Sequence, residues 1–446
     1  MESSAPSRVL VVGLGRSGLA AARLAAHDGS EVCATDLRSE RDLGEVLREL
    51  PEGTRRYLGG HPSSALDGIG LVVCSPGVAP TASILADARR RDIPVVTEVE
   101  FAWRHRTDRS MVAVTGSNGK STVTALVAAM LSESGVAAAA GGNLGTAACE
   151  LVLTGGWDCW VLEISSFQAE LLTEMRPSVG VFLNLSQDHL ERHPGMATYL
   201  AAKRRLFEFQ TSRDAAVLNA DDAAVSETPS RARRLLFSLE RSADAWLDGE
   251  LLRLGDQILT ERSKCSLGGI HNVANGLAAA LAAVELGATT EGVTKTLETF
   301  RGLSHRHLTV FEENEVRWVD DSKATNVGAT IAALRGYPER SVHLILGGQA
   351  KGQDFSAMIP EVERSAARVY VIGIDGPSIA AVLADAAPIE DCGTLEEAVM
   401  RARREARPGQ WVLLAPACAS FDQFSGFAQR GEKFAALARE EGARCP

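Results

Sequence analysis

The chain has 446 residues, 45% of them hydrophobic and 23% charged, with a formal net charge of −11. That length suits about three domains of ~150 residues, with cores large enough to need no disulfide or metal staple. The acidic balance argues against a nucleic-acid binder with a broad basic surface, yet small anions can still be held by local Lys, Arg and helix N-termini.

The opening "MESSAPSRVLVVG" lacks the basic and long apolar regions of a signal peptide. No run approaches the ~18 apolar residues of a spanning helix. The eight cysteines are scattered without a C-x-x-C pair, which predicts free thiols in a reducing cytoplasm.

Residues 1–100 alternate strand-like and helix-like runs: "RVLVVG", then "SGLAAARLAAH", then "SEVCATD", and later "GLVVCSPG". This is the pattern of a parallel βαβ sheet. Between the first strand and helix, "GLGRSG" places Gly13, Gly15 and Gly18 in G-x-G-x-x-G spacing, and Asp36 ends the next strand. By itself such a loop reads as a dinucleotide site or as a tight turn without ligand; beside a second nucleotide loop, it reads as the seat of a nucleotide-diphosphate handle on a substrate.

Residues 101–302 open a second α/β segment. "MVAVTGSNGKSTVTALVAAML" has the strand–loop–helix context of a phosphate loop, but Val114 stands where G-x-x-x-x-G-K-[ST] requires glycine. Gly116 and Gly119 supply flexibility, backbone N–H groups and the helix dipole favour a phosphate, and Lys120 and Ser121 suit outer phosphates and Mg²⁺. Further strands are expected at "DCWVLEIS", "SVGVFLNLS" and "AAVLNAD". Glu163 ends one of them, as a metal-holding or a structural acid. Asp188 and His189 follow another, at the edge where parallel sheets place ligands. "TYLAAKRRLFEF" reads as an amphipathic helix whose Lys203, Arg204 and Arg205 form a solvated basic face. "DAWLDGELLRLGDQILT" predicts a small antiparallel patch, and "NVANGLAAALAAVELG" a long helix.

Residues 303–446 start with a hairpin, "LTVFEENEVRWVDDS", turning around Glu313-Asn314. Strands "SVHLILGG", "ARVYVIG" and "QWVLLAP" follow, with helices between. "DDSKATN" and "ACASFDQF" bring polar clusters to strand ends, as site residues or as turns and caps.

In order along nearly the whole chain, "VVGLGRSGLA", "VTGSNGKST", "GGNLG", "LEISSFQ", "NLSQDHLERH", "AAKRRLF", "HNVAN", "LSHR", "DDSKATNVGAT" and "APACASFDQFSGFAQRGEKF" resemble the Mur ligase family. The family's phosphate loop reads T-G-[ST]-N-G-K-[ST]-T, so Val114 is its ordinary form. The resemblance implies an α/β chain of three domains: a Rossmann-like N-terminal domain for a UDP-linked substrate, a central P-loop ATPase-type domain, and a Rossmann-like C-terminal domain for the incoming amino acid. It implies an ATP-dependent, ADP-forming ligase of cytoplasmic peptidoglycan precursor synthesis. Such an enzyme adds D-glutamate to a UDP-linked muramoyl-alanine through an acyl phosphate.

Carried residue by residue, the resemblance puts Gly116, Ser117, Asn118, Gly119, Lys120, Ser121, Thr122, Asn272, Arg306, Asp321 and Lys323 on ATP. Gly15, Arg16, Ser17, Asp36, Arg38, Ser75, Gly77 and Asn143 fall on the UDP-linked substrate, and Thr325, Lys351, Ser420 and Phe427 on glutamate. Lys120, Glu163, His189 and Lys203 become catalytic. Ser121 and Glu163 would serve one Mg²⁺, and His189 with an N-carboxylated Lys203 a second. The partners implied are small molecules, with no nucleic acid and no membrane, and the chain is expected to act as a monomer. A paralogue using L-glutamate or another acceptor, a nicotinamide oxidoreductase using "GLGRSG", and a non-catalytic nucleotide sensor are the competing readings.

Overall fold

The computed structural model describes residues 7–105, 110–189, 192–350 and 352–440. Among these, the strands form three sheets that follow one another along the chain. The first is wholly parallel: Arg8–Val12, Glu31–Asp36, Arg55–Leu58, Leu71–Cys74 and Val95–Thr97, in spatial order 3-2-1-4-5. Its first strand is apolar on both faces. Val9 and Val11 enter one core cluster, Leu10 and Val12 another, as expected for a sheet covered on both sides. The strand order reverses between the first and fourth strands. A crevice therefore opens where "GLGRSG" and Ser75–Gly77 leave the sheet.

The second sheet has nine strands in spatial order 9-8-7-6-5-4-1-3-2, counted from Ser110–Thr115. Ser110–Thr115 lies between Cys159–Glu163 and Val179–Phe182, all parallel. The phosphate loop, Glu163 and the Asn184 loop thus emerge side by side. The expected antiparallel patch is present as Ala245–Asp248, Leu251–Leu254 and Gln257–Glu261. It extends the parallel sheet rather than standing apart from it. The alanine-rich helix Ile270–Val284 packs on the phosphate-loop helix Lys120–Glu133, both within one core cluster.

The third sheet has the order 1-2-6-3-4-5, counted from Leu308–Glu313. Its opening hairpin turns at Asn314 and Glu315, with φ of 50° and 60°, one residue later than expected. A two-residue turn with both residues left-handed matches the twist of the flanking strands. The strands that precede "DDSKATN" and "ACASFDQF", Val316–Asp320 and Trp411–Leu414, are parallel neighbours. Both polar clusters therefore leave the same edge.

The three sheets are not joined equally. One continuous core runs from Val9 and Val11 of the first through Ala139, Trp160 and Phe182 of the second. The helix Glu98–His105 bridges them, burying Val99, Phe101 and Ala102 in that core. Its two buried acids reach into the second segment: Glu98 accepts from the Cys149 N–H at 2.6 Å, and Glu100 from Thr173 N at 2.7 Å and Glu174 N at 2.8 Å. The third segment keeps its own cores and meets the second largely through polar contacts.

Among the described residues the seven cysteines are free, and no helix is long and apolar enough to cross a membrane.

Candidate active site

At the crevice of the first sheet, Gly13 (φ +87°) turns the chain away from the strand. A side chain on Gly18 would collide with the Gly13 carbonyl, so the helix Arg16–His27 can approach the loop only because that residue is glycine. Ser75 Oγ donates to the Gly13 carbonyl at 2.7 Å. Asp36 accepts from Leu14 N at 2.7 Å and binds Arg38 through both oxygens, at 3.0 and 2.8 Å. These groups line a cleft of about 960 Å³, which also takes in Gly15, Arg16, Ser17 and Gly77. The sequence reading missed His61, Val78 and Thr81, which line it too. Val78 directly follows Ser75–Gly77 and was within reach of the sequence reading, whereas His61 and Thr81 stand in no motif and are brought here by the strand order.

Burial pushes the Asp36 carboxyl up, but the Arg38 guanidinium and the Leu14 N–H outweigh it and bring its pKa to about 2. The folded value lies below the ordinary 3.8. Stability from this group is therefore complete above about pH 4 and lost as pH falls through about 2. Asp36→Asn should destabilise the chain by up to ~2 kcal/mol at pH 7, with the difference from wild type shrinking below pH 4. Urea unfolding at pH 7 and pH 3 measures it; an equal difference at both would show that the Asp36 charge does not matter.

The second sheet presents the phosphate loop. Gly119 (φ +83°) caps the helix Lys120–Glu133, and any side chain there would strike Asn275. Asn184 holds the loop from outside, accepting from Asn118 N at 2.8 Å and donating to its carbonyl at 3.1 Å. Lys120 Nζ folds back onto the carbonyls of Gly116 and Ser117 at 2.9 and 2.8 Å. Glu163 accepts from Ser121 Oγ and from Asn143 Nδ2, the latter at 2.6 Å. Burial raises its pKa, but Lys120, Ser121 and Asn143 together hold it below the ordinary carboxylate range.

Lys203 overturns its local reading. It is 1% exposed, not part of a solvated basic face. The helix Met196–Arg204 turns it inward, where Nζ donates to the Gly116 carbonyl at 2.7 Å and stands 4.3 Å from the Tyr199 ring. Burial, reinforced by the charge of Lys120, drives its pKa well down. His189 sits nearby with φ +55°, its Nε2 3.6 Å from Asp188 Oδ2.

The other two segments reach this point. Arg306 Nη2 donates to Ser121 Oγ at 2.6 Å. Asn326 Nδ2 donates to Asn118 Oδ1 at 3.1 Å and to Asp188 Oδ2 at 3.0 Å. Arg16 Nη2 donates to the Asn143 carbonyl at 3.4 Å. A cleft of about 280 Å³ results, walled by Ser117–Ser121, Asn143, Glu163, His189, Lys203, Arg306, Lys323 and Thr325. A second cavity adjoins it across the phosphate loop, with Thr122, Asn272, Arg306, Asp321 and Lys323 in its walls. His271, Asn275 and His307 line it as well and were missed; His271 precedes Asn272 in "IHNVAN" and was within reach of the sequence reading.

The residues assigned to glutamate converge less. Thr325 lines the cleft. Phe427 touches it through Lys323, whose Nζ lies 4.1 Å from the ring centre. Ser420 is 2% exposed and is not a wall of either cavity. Lys351 lies outside the described residues.

Among the described residues no three His, Cys, Asp or Glu side chains gather into a metal site. The donors present are the Ser121 hydroxyl, the carboxylates of Glu163 and Asp188, the His189 imidazole and the Lys203 amine. That set fits Mg²⁺ only if phosphate oxygens and an oxygen-bearing Lys203 complete it, since Mg²⁺ prefers oxygen ligands.

A glycine loop at a sheet's switch point, a phosphate loop at the edge of a second sheet, and an arginine from the loop leading into a third sheet, on the phosphate-loop serine, define a three-part nucleotide-dependent enzyme. Three family models match it in turn: "Mur ligase MurD-like, N-terminal domain" over residues 7–97, "Mur ligase middle domain" over 114–283, and "Mur ligase, glutamate ligase domain" over 305–418. The chain belongs to the Mur ligase family. It is 42% identical to the UDP-N-acetylmuramoylalanine–D-glutamate ligase of Anaeromyxobacter dehalogenans, over 98% of each chain. It is 40% identical to the enzyme of that name from Acidobacterium capsulatum, over 96% of this chain and 95% of that one. In fold it is similar to the MurF ligase of Thermotoga maritima solved in complex with ADP, with a TM-score of 0.61 at 18% identity over 92% of this chain and 94% of that one.

Proposed function

We propose that the chain joins D-glutamate to UDP-N-acetylmuramoyl-L-alanine at the expense of ATP, as a monomer in the cytoplasm. The supporting observation is the convergence of Lys120, Glu163 and Lys203 with Arg306 from the third segment and, through Asn143, Arg16 from the first. Identity of about 40% to ligases of that name, over nearly their full length, supports the choice of substrates.

A carboxylate is a poor electrophile with a poor leaving group, and phosphorylation corrects both. In this reading an oxygen of the acceptor carboxylate attacks the γ-phosphorus of ATP, and ADP leaves. The glutamate amine then attacks the acyl carbon, the C–O bond to phosphate breaks, and the amine proton passes to solvent. Lys120, Arg306 and Lys323 hold the phosphates, Asn272 the adenine and Asp321 the ribose. Gly15, Arg16, Ser17, Asp36, Arg38, Ser75 and Gly77 hold the UDP group, and Asn143 the muramoyl-alanine end. Thr325, Lys351, Ser420 and Phe427 frame the glutamate. Ser121 and Glu163 would hold one Mg²⁺, and His189 with N-carboxylated Lys203 a second, supplying positive charge beside the transferring phosphate. Release of ADP should require UDP-N-acetylmuramoyl-L-alanine and D-glutamate together. Turnover with L-glutamate and none with the D-enantiomer would refute the assignment.

Loading and release require the third segment to move. Its polar contacts with the second are few beside the continuous core that joins the first two. The junction holds Gly302 at φ +80°, where backbone rotation is easily absorbed. An ATP analogue with the UDP-substrate should shrink the radius of gyration and protect the chain from proteases near Gly302. An unchanged radius and unchanged cleavage would indicate a preformed cleft.

A further inference from the structure

The segment His305–His307 carries an unusual conformation. His305 and His307 both have positive φ, 63° and 52°, with Arg306 between them. Non-glycine residues are uncommon there, although histidine tolerates it better than most, and two within three residues mark a segment held by its contacts. Here each histidine faces an aspartate at the end of the strand Val316–Asp320. His305 Nδ1 lies 2.7 Å from Asp320 Oδ2, and His307 Nδ1 3.6 Å from Asp321 Oδ2.

Chemistry settles which His307 nitrogen bears the proton. Its Nε2 is 3.2 Å from the Tyr337 hydroxyl. A bare Nδ1 lone pair would face the Asp321 carboxylate at 3.6 Å and be repelled, so the arrangement of lower energy has the Tyr337 hydroxyl donating to Nε2. The neutral imidazole then carries its hydrogen on Nδ1, aimed at the Asp321 carboxylate. That Nδ1 is buried and lacks a hydrogen-bond partner, and the ring lines the cavity beside Asp321, Lys323 and Asn272. The separation of 3.6 Å is one small movement short of a hydrogen bond.

We infer that His307 is a nucleotide-positioning residue, whose Nδ1–H, set by Tyr337, fixes the Asp321 carboxylate toward the sugar hydroxyls of the nucleotide. The inference rests on the reading of this cavity as the ATP site. It adds the ribose as the part of the ligand that the His307–Tyr337 pair governs.

The test compares ATP with 2′-deoxy- and 3′-deoxy-ATP in the full-length chain, by calorimetric binding and by ADP release. His307→Phe should raise the KM for ATP about ten-fold, the scale of one lost hydrogen bond to a charged group, with kcat and the KM for the UDP-substrate little changed. Its preference for ATP over the deoxynucleotides should fall by the same factor. His307→Asn, which keeps an N–H near the Nδ1 position, should recover most of both. Tyr337→Phe, which keeps the packing but releases the tautomer, should lose about three-fold. Wild-type discrimination between ATP and deoxy-ATP in His307→Phe overturns the positioning role, as does a His307→Asn variant no better than His307→Phe. Absence of ATP binding to the wild-type chain would instead remove the reading of the cavity, and the inference with it.

Discussion

Lys120→Ala is expected to slow ADP release by ~100-fold or more, the scale for removing a charge that meets the transferring phosphate. The lysine already lies in the loop, its Nζ on the carbonyls of Gly116 and Ser117. Burial lowers its pKa while Glu163 and Asp188 work to keep it charged. A nucleotide phosphate offers that ammonium a better partner than two neutral carbonyls. The KM for the UDP-substrate, which is proposed to bind at the first sheet, should change little. Normal turnover in the variant would show that the phosphates lie elsewhere.

Lys203→Ala is expected to be nearly inactive, and a small carboxylate such as formate should restore part of the rate. Buried and with Lys120 as a neighbour, the Lys203 amine is held well below its ordinary pKa, which favours the neutral form that can add to CO₂. The addition forms an N–C bond, releases a proton and turns a repelled cation into an anion. That anion suits Lys120 and hard cations alike. Lys203→Arg should also fail, because a guanidinium is more basic and keeps its charge. Full activity in the alanine variant, or its loss without rescue by any small carboxylate, would leave Lys203 as a structural amine tied to the Gly116 carbonyl.

What could be read in the sequence divides along physical lines. The two glycine loops, Glu163 and the "DDSKATN" cluster were visible because each sits at a strand end within one local strand–loop–helix unit. Lys203 was named only through the resemblance, because its burial depends on the Gly116 carbonyl, 87 residues away, and on the Tyr199 ring. Its own helix reads as an ordinary basic surface. Asn184 was missed for a related reason. It braces Asn118 across neighbouring strands, and nothing in "VFLNLS" distinguishes a brace from a turn residue. His307 gains its partners from Tyr337 and Asp321, which periodicity does not connect. The antiparallel patch was foreseen from its turns, but its attachment to the parallel sheet depends on Phe237 and Ser238 pairing with Ala245 and Trp246.

The most direct test of the account follows one oxygen atom. UDP-N-acetylmuramoyl-L-alanine labelled with heavy oxygen in its alanine carboxylate is turned over with ATP and D-glutamate, and the inorganic phosphate is weighed by mass spectrometry. If the carboxylate takes the γ-phosphoryl group, one labelled oxygen must leave with each phosphate released, because the acyl C–O bond is the one that breaks. Amide product accompanied by unlabelled phosphate would mean that the carboxylate is never phosphorylated, and would contradict the mechanism built on Lys120, Lys203 and Arg306.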